Sequence, residues 1–289
     1  MILSTRIGKT KVKQTAYNPN SALYFNVNWS DTSFKGAADI GIGSEGDAYV
    51  VGLDGNLYYY DLVSDTYAVV SGNKSLPPIT RVDVDMDGIP YVVCNTGDSY
   101  FLDCNNNWVK LSGCANDIGV GRGGEVWKVG CDSRAGGYGI WKLFCPCKCD
   151  TGCDRQCMKY KQMNYISSIT TIKASKCFWY RIEGGANRID VTPDGEPWVL
   201  TDKGDVYGYD GVNWHYVQGV QGVDITVSNE SMTFVVGLDK SIYALNKNKE
   251  ISWTNISGAG LQISAGPMSQ PWIVGSDNNI HDLSKRAYN

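Results

Sequence analysis

The sequence predicts an all-β fold, a six-bladed β-propeller of four-stranded antiparallel blades, and three observations lead to it. Most of the 30 acidic residues are Asp, which belongs in turns and caps, whereas Glu fills helix faces. Gly at 33, Tyr at 18 and Trp at 9 describe short aromatic strands joined by tight turns. The third observation is an internal repeat with a period near 36 residues, the signature of a stacked architecture.

Each repeat opens with an apolar-x-apolar strand: Ile40-Gly-Ile42, Val82-Asp-Val84, Ile118-Gly-Val120, Ile189-Asp-Val191, Ile225-Thr-Val227 and Ile263-Ser-Ala265. The intervals are 42, 36, 71, 36 and 38 residues, and the long one becomes ordinary once an insertion in the third copy is set aside. The second strand carries Tyr49, Tyr91, Trp127, Trp198, Phe234 and Trp272, in phase with the repeat, and is expected to pack between blades. Third strands carry Tyr58, Tyr100, Trp141, Tyr207, Tyr243 and His281, and a fourth strand begins at a Trp such as Trp108, Trp214 or Trp253. Gly, Asp and Asn bound every run, as in antiparallel meanders. One such unit cannot bury its faces; stacked radially, the units cover one another and leave short edges.

The sixth copy stops at His281-Asp-Leu283 without a Trp-led fourth strand. Val27-Asn-Trp29 with Phe34-Lys-Gly36 matches the pattern of Trp108 to Gly113, Trp214 to Gly219 and Trp253 to Gly258. The N-terminal segment is therefore expected to complete the last blade. The chain divides into a basic arm, 1–20, and a propeller, 21–289, that carries a Cys-rich insertion at 145–177 in its third blade.

The recurring Asp-Ile-x-Val, Asp/Glu-Gly, Trp-x-Val, Gly-x-Ile/Val-Tyr and Trp-x-x-x-x-Gly series resembles the tectonin β-propeller family, the group of tectonins, tachylectin-1 and fish-egg lectins. The resemblance runs from Trp29 to Leu283 apart from the insertion. It implies a sugar-binding surface or secreted lectin, although other proteins of this kind are intracellular scaffolds. The insertion and the basic arm lie outside the repeat.

Charge and composition exclude other classes. With 26 Lys+Arg and 30 Asp+Glu the net charge is −4, so nucleic acid has little to hold. His215 and His281 are the only histidines, which disfavours His-ligated zinc and most nucleophile–His triads. No cofactor is expected, and no apolar run is long enough to span a membrane. The first residues show no signal peptide; secretion would use a leader not visible in this chain.

Ten cysteines point to an oxidising, extracellular compartment. All are expected in disulfides: Cys94, Cys104, Cys114 and Cys131 in the second and third repeats, and Cys145, Cys147, Cys149, Cys153, Cys157 and Cys177 in the insertion. The insertion reads as a disulfide-stapled knob, with a thiolate metal cluster as the alternative; no metal is assigned. Asn28, Asn73, Asn229 and Asn255 head N-glycosylation sequons.

The residue before each inner strand alternates in charge: Asp39, Arg81, Asp117, Arg188, Asp224, then Gln262. This predicts inter-blade ion pairs, since buried charges need partners. Asp83 and Asp190 stand nearer the axis without a ligand cluster. Sugar recognition needs an aromatic face and fixed amide or carboxylate groups; the outer-rim candidates are Trp108, Trp214, Trp253, Asn107, Asp210 and Asn213. Residues 1–20 carry Arg6, Lys9, Lys11 and Lys13 and no acid, which suits docking on an acidic neighbour to build a homo-oligomer or filament. The leading expectation is a non-enzymatic, multivalent, extracellular glycan-binding propeller. The alternative is a glycosylated structural subunit of an extracellular or ciliary-surface filament or coat.

Overall fold

A computed structural model of the chain describes residues 29–43, 46–61, 64–103, 105–121, 123–144, 177–228, 232–246, 252–266 and 269–283. The arm at 1–20 and the insertion up to residue 176 lie outside these residues, as do Cys104, Asn28 and Asn229. Among the described residues, the regular structure is antiparallel β, with a turn of 3-10 helix at Asn73–Ser75.

Strand β1 (Ser30–Lys35) precedes the first repeat, which forms the sheet β2 (Ala37–Ile42), β3 (Ala48–Gly52), β4 (Leu57–Asp61) and β5 (Thr66–Val69). The second repeat forms β6 (Ile79–Val84), β7 (Pro90–Cys94), β8 (Ser99–Leu102) and β9 (Trp108–Leu111). The third forms β10 (Asp117–Val120), β11 (Val126–Arg134), β12 (Gly137–Phe144) and β13 (Phe178–Ala186). Then come β14 (Arg188–Val191), β15 (Pro197–Leu200), β16 (Asp205–Tyr209), β17 (Trp214–Val227), β18 (Met232–Gly237), β19 (Ser241–Asn246), β20 (Trp253–Ala265), β21 (Pro271–Gly275) and β22 (Asn279–Asp282). These nine strands join β1 in one ten-stranded sheet. The sheet is continuous because β17 pairs with β16 through its first half and with β18 through its second, and β20 does the same between β19 and β21.

Second strands β3, β7, β15, β18 and β21 are buried at every residue. A sheet covered on both faces has no solvent side, so its central strand reads as an unbroken apolar run, without alternation. The core lies between sheets. Trp127, Val129 and Ile140 pack with Ile189, Val191 and Val199 of the next repeat. Phe34, Ile40 and Val50 pack with Trp272, Val274 and Ile280, joining the end of the chain to its beginning. Each fully buried side chain of this size contributes about 1.5–3 kcal/mol.

The N-terminal strand completes the last sheet, with Ser30 opposite Asp282 and Asp31 opposite His281. Thr32 Oγ1 donates to Ile280 O at 3.0 Å. His281 Nδ1 lies 2.8 Å from Asp31 Oδ1 and its Nε2 lies 3.1 Å from Asp277 Oδ1. Trp29 donates its indole N–H to Ser257 O in the preceding repeat.

Two expectations are corrected. Cys94 is a free thiol at the buried end of β7, packed among Ile79, Val82 and Val92, and burial pushes it up to about 11. It is a core apolar residue here, not half of a disulfide. Asn73 is also buried, and its Nδ2 donates to Leu57 O at 2.9 Å, so it anchors a turn and is closed to a glycan in the folded chain. Cys114 and Cys131 are joined across 17 residues, tying the end of the second repeat to β11 of the third, and Cys177 is disulfide-bonded. Asn255 is exposed.

Candidate functional site: the axial channel and the outer aromatic rim

Inner strands β2, β6, β10, β14, β17 and β20 carry two tiers of polar side chains, and each tier reaches the backbone of the following repeat. In the first tier Asp39 Oδ2 accepts Val82 N at 2.9 Å, Asp117 Oδ2 accepts Ile189 N at 2.9 Å, and Asp224 Oδ2 accepts Ile263 N at 2.7 Å. In the second tier Asp83 Oδ2 accepts Val120 N at 2.6 Å and Asp190 Oδ2 accepts Val227 N at 2.6 Å. Ser264 Oγ then accepts Ile42 N at 3.0 Å and returns the series to the first repeat. Carboxylates thus clasp consecutive inner strands alternately from one tier and the other.

Local sequence explains the alternation. Repeats with Asp in the first tier have Gly41, Gly119 or Thr226 in the second. A Cβ on Gly41 would stand 2.8 Å from Val82 O, and one on Gly119 would meet Val191 Cγ2 at 2.9 Å. These glycines give the next backbone room to approach. The intervening repeats carry Arg81, Arg188 or Gln262 in the first tier. Arg81 lies 3.7 Å from Asp39 and 3.9 Å from Asp117, and it donates to Gln262 Oε1 at 2.8 Å. Arg188 lies 3.5 Å from Asp224.

The channel is electrostatically strained. Burial raises Asp39, Asp117 and Asp224 despite the opposing arginines, with Asp224 reaching about 8. Burial raises Asp83 well above the ordinary carboxylate range, and the nearby charge of Asp190 adds to it. Asp190 is itself raised by burial, against the pull of its backbone hydrogen bonds. Both Asp83 oxygens are committed, one to Val120 N and the other to Val84 N at 2.8 Å; Asp190 is held the same way by Val227 N and Val191 N. The space between them, near Met86, Pro193 and Thr226, is about 40 Å³. That admits a few waters and falls far short of the several hundred Å³ of a small-molecule pocket. Among the described residues no His, Cys, Asp and Glu groups assemble into a metal site.

The outer rim is a second recurring system. Trp108 Nε1 donates to Ser71 O at 3.3 Å, Trp179 to Ser112 O at 2.6 Å, Trp214 to Glu183 O at 2.7 Å and Trp253 to Gln218 O at 3.1 Å. Each bond runs to the preceding repeat, so the indole edges are occupied while the rings remain half-buried. Beside Trp214, Asp210 Oδ1 accepts Val212 N at 2.8 Å and Asn213 N at 2.7 Å, and Asp210 Oδ2 lies 2.6 Å from His215 Nε2. Backbone hydrogen bonds, with His215, bring Asp210 down to about 2. The same corner beside Trp108 is built by Asp103 Oδ1, which accepts Asn105 N and Asn107 N at 2.8 Å.

The structure gathers Asp210, Asn213 and Trp214 in one corner and Asn107 with Trp108 in another; Trp253 stands apart on β20. Asp103 had no place among the sequence candidates, although its Asp-x-Asn-x-Asn spacing is a turn signal. Also unanticipated is a surface recess of about 380 Å³ lined by Thr96, Gly97, Asp98, Lys110, Ser112 and Cys114, with Lys110 Nζ 2.7 Å from Asp98. Its walls come from a turn and an edge strand 12 residues apart in sequence, and only pairing of β8 with β9 brings them together.

Known proteins bear on the family and the architecture. Comparison with curated proteins found no match. Among solved structures, the β-propeller domain of Myceliophteria thermophila Cps50 (Swd1) is similar at 11% identity with a TM-score of 0.57, over 89% of this chain and 99% of that one. A streptogramin B lyase is similar at 15% identity with a TM-score of 0.53, over 91% and 88%. Virginiamycin B lyase from Staphylococcus aureus is similar at 12% identity with a TM-score of 0.52, over 89% and 88%. At such identities the likeness shows the β-propeller fold alone. The Tectonin domain model matches residues 156–288, a match that supports the tectonin β-propeller resemblance over the second half of the chain.

Proposed function

We propose that this protein is a six-bladed, non-enzymatic, extracellular carbohydrate-binding propeller that engages glycans at several shallow corners of its outer rim. The observation that carries the reading is the recurring corner itself: a half-buried Trp next to an exposed Asn whose backbone N–H is held by an Asp, at Asp103–Asn107–Trp108 and again at Asp210–Asn213–Trp214. A pyranose needs an apolar platform and hydrogen-bonding groups held in place, and both corners supply the two side by side. Repetition gives weak single sites a multivalent total. Six inner strands linked in series, and an apolar cluster between each consecutive pair of repeats, support a ring of six. A non-enzymatic reading is supported by the channel carboxylates, each of which accepts a backbone N–H of the following repeat and so has a structural task.

A glycan array tests this with the full chain and an Asn107→Ala/Asn213→Ala variant whose fold is checked by circular dichroism. Binding to a defined glycan set, weakened at least several-fold in the variant, is the expected result. Silence on every glycan overturns the reading, and binding unchanged in the variant moves the site away from these corners.

A further inference from the structure

The pairing that closes the ring is the shortest of the outer-strand pairings. Strand β1 meets β22 at three registered positions, with the register broken between Asp31 and Lys35, whereas the outer strands of the other repeats meet their neighbours at four to seven. A short, irregular pairing at the end of a sheet frays more readily than its interior, so single side-chain contacts across this seam carry more weight.

At the seam stands a histidine where other repeats use a phenol or an indole. Tyr58 donates to Asp54 at 2.7 Å, Tyr243 to Asp239 at 2.9 Å and Trp141 to Asp132 at 3.1 Å, each within its own sheet. His281 takes the same position in the last repeat, with Nε2 3.1 Å from Asp277 Oδ1, and turns its second nitrogen, Nδ1, to Asp31 Oδ1 on the closing strand at 2.8 Å. Its side chain is only 16% exposed. An ionised carboxylate only accepts, and a neutral imidazole has one N–H, so both contacts are hydrogen bonds only when the ring carries two protons. With one proton, a ring lone pair faces a carboxylate lone pair. We propose that His281 is a proton-controlled latch on ring closure: protonated, it ties β1 to the β21–β22 turn through Asp31 and Asp277, and on losing a proton it releases β1.

Neighbouring charges supply no substitute. On β1, Lys35 Nζ stands 4.0 Å from Asp31 Oδ2 and leaves Oδ1 to the imidazole. Strands β20 and β21 carry no charged residue, and Asp282, next to His281 on β22, is buried. In the preceding repeat Asp239 is committed to Ser241 N and Tyr243, beside exposed Lys240, whose carbonyl accepts Gly260 N. In the following repeat Asp65 accepts Ser33 N of β1 and the hydroxyl of Tyr60. Lys285 and Arg286, next along the chain after β22, lie outside the described residues. Histidine is the side chain whose charge changes between pH 5 and 8, so the latch is set in acid and slack in alkali. This inference is independent of the glycan-binding reading.

Hydrogen exchange of the full chain at pH 5.5 and pH 8.0, with each amide normalised to its intrinsic rate, tests it. The expected result is protection of the β1 and β22 amides that falls about threefold or more between the two values, while the amides of β8 and β9, which report any ring-wide effect of the channel carboxylates, fall less. His281→Tyr installs the phenol of Tyr58 and Tyr243, which keeps a donor for Asp277 and stays protonated across this range. Asp31→Asn, at an exposed position where folding is not at stake, removes the charge that the latch grips. Both variants are checked by circular dichroism, and in both the pH dependence at β1–β22 sinks to that of β8–β9. The proposal is overturned by protection that does not fall, by an equal fall at β8–β9, or by a fall that either variant retains.

Discussion

Asp83, on the inner strand of the second repeat, accepts the backbone N–H of Val120, 2.6 Å away on the inner strand of the third. The bond replaces a strand pairing that cannot exist, because the two strands belong to different sheets. Removing the acceptor leaves a buried N–H unpaired, which costs about 1–3 kcal/mol. Asp83→Ala and Ser264→Ala, the latter stripping the acceptor from Ile42 N, are each expected to lower unfolding stability by that amount in urea titrations at pH 5. Unchanged midpoints in both variants would show that water replaces the clasp.

Acid should stabilise the ring. Burial raises Asp39 and Asp190 to about 6 and Asp224 to about 8 from an ordinary 3.8. A folded-state value above the unfolded one gives stability that is complete below about pH 3.8 and is lost as pH rises through 6 to 8. Exposed Asp210 and Asp277, both lowered to about 2, act in the opposite sense only as pH falls from 3.8 toward 2. Thermal melts are therefore expected to give a higher midpoint at pH 5 than at pH 8.5; a midpoint that climbs across this interval contradicts the account.

Small side chains at the channel are a packing requirement. Gly119→Ala brings a methyl within 2.9 Å of Val191 Cγ2 and 3.1 Å of Asp190 Cα, and overpacking of this kind costs about 1–3 kcal/mol. The expected readout is a lowered melting temperature with an unchanged β-sheet spectrum, whereas tolerance of the alanine would mean the repeats can move apart there.

The rim tryptophans make a prediction of mixed sign. Trp214→Phe keeps an aromatic face but surrenders the bond to Glu183 O, an expected loss of about 0.5–1.5 kcal/mol. If the corner recognises sugar by stacking, the variant keeps most of its glycan affinity while melting earlier. Loss of binding with unchanged stability would assign the indole N–H to the ligand.

Cys114–Cys131 closes a loop of 17 residues, for which chain-entropy arguments give about 3 kcal/mol. Cys114→Ser/Cys131→Ser is expected to lose a comparable amount under non-reducing conditions. Cys94, buried and pushed up to about 11, should resist iodoacetamide until the protein unfolds; rapid labelling of the native chain at Cys94 would refute its core position.

The repeating architecture was legible because it is written in short-range spacing: Ile189-Asp-Val191, Trp198 and Tyr207 recur in step with Ile225-Thr-Val227, Phe234 and Tyr243. The N-terminal Trp29 motif likewise matches the other fourth strands, and β1 does pair with β22. The clasps were not legible. Sequence gives the charge of Asp83 but not the stagger between two sheets that puts it beside Val120 N, and a periodic table of positions cannot separate Cys94 in the core from Cys114 on the edge. Asn73 fits a sequon while its amide is spent inside the fold, a conflict that only burial reveals.

The long strands β17 and β20 pass from one sheet into the next without a break, whereas the first three repeats are separate sheets joined by loops. Half of the ring is thus a single hydrogen-bonded ribbon and half is segmented. Under mechanical load or partial denaturation the segmented arc yields first, hinging at the connection after β5, since Cys114–Cys131 pins the one after β9, and the ribbon remains as a crescent able to template reclosure.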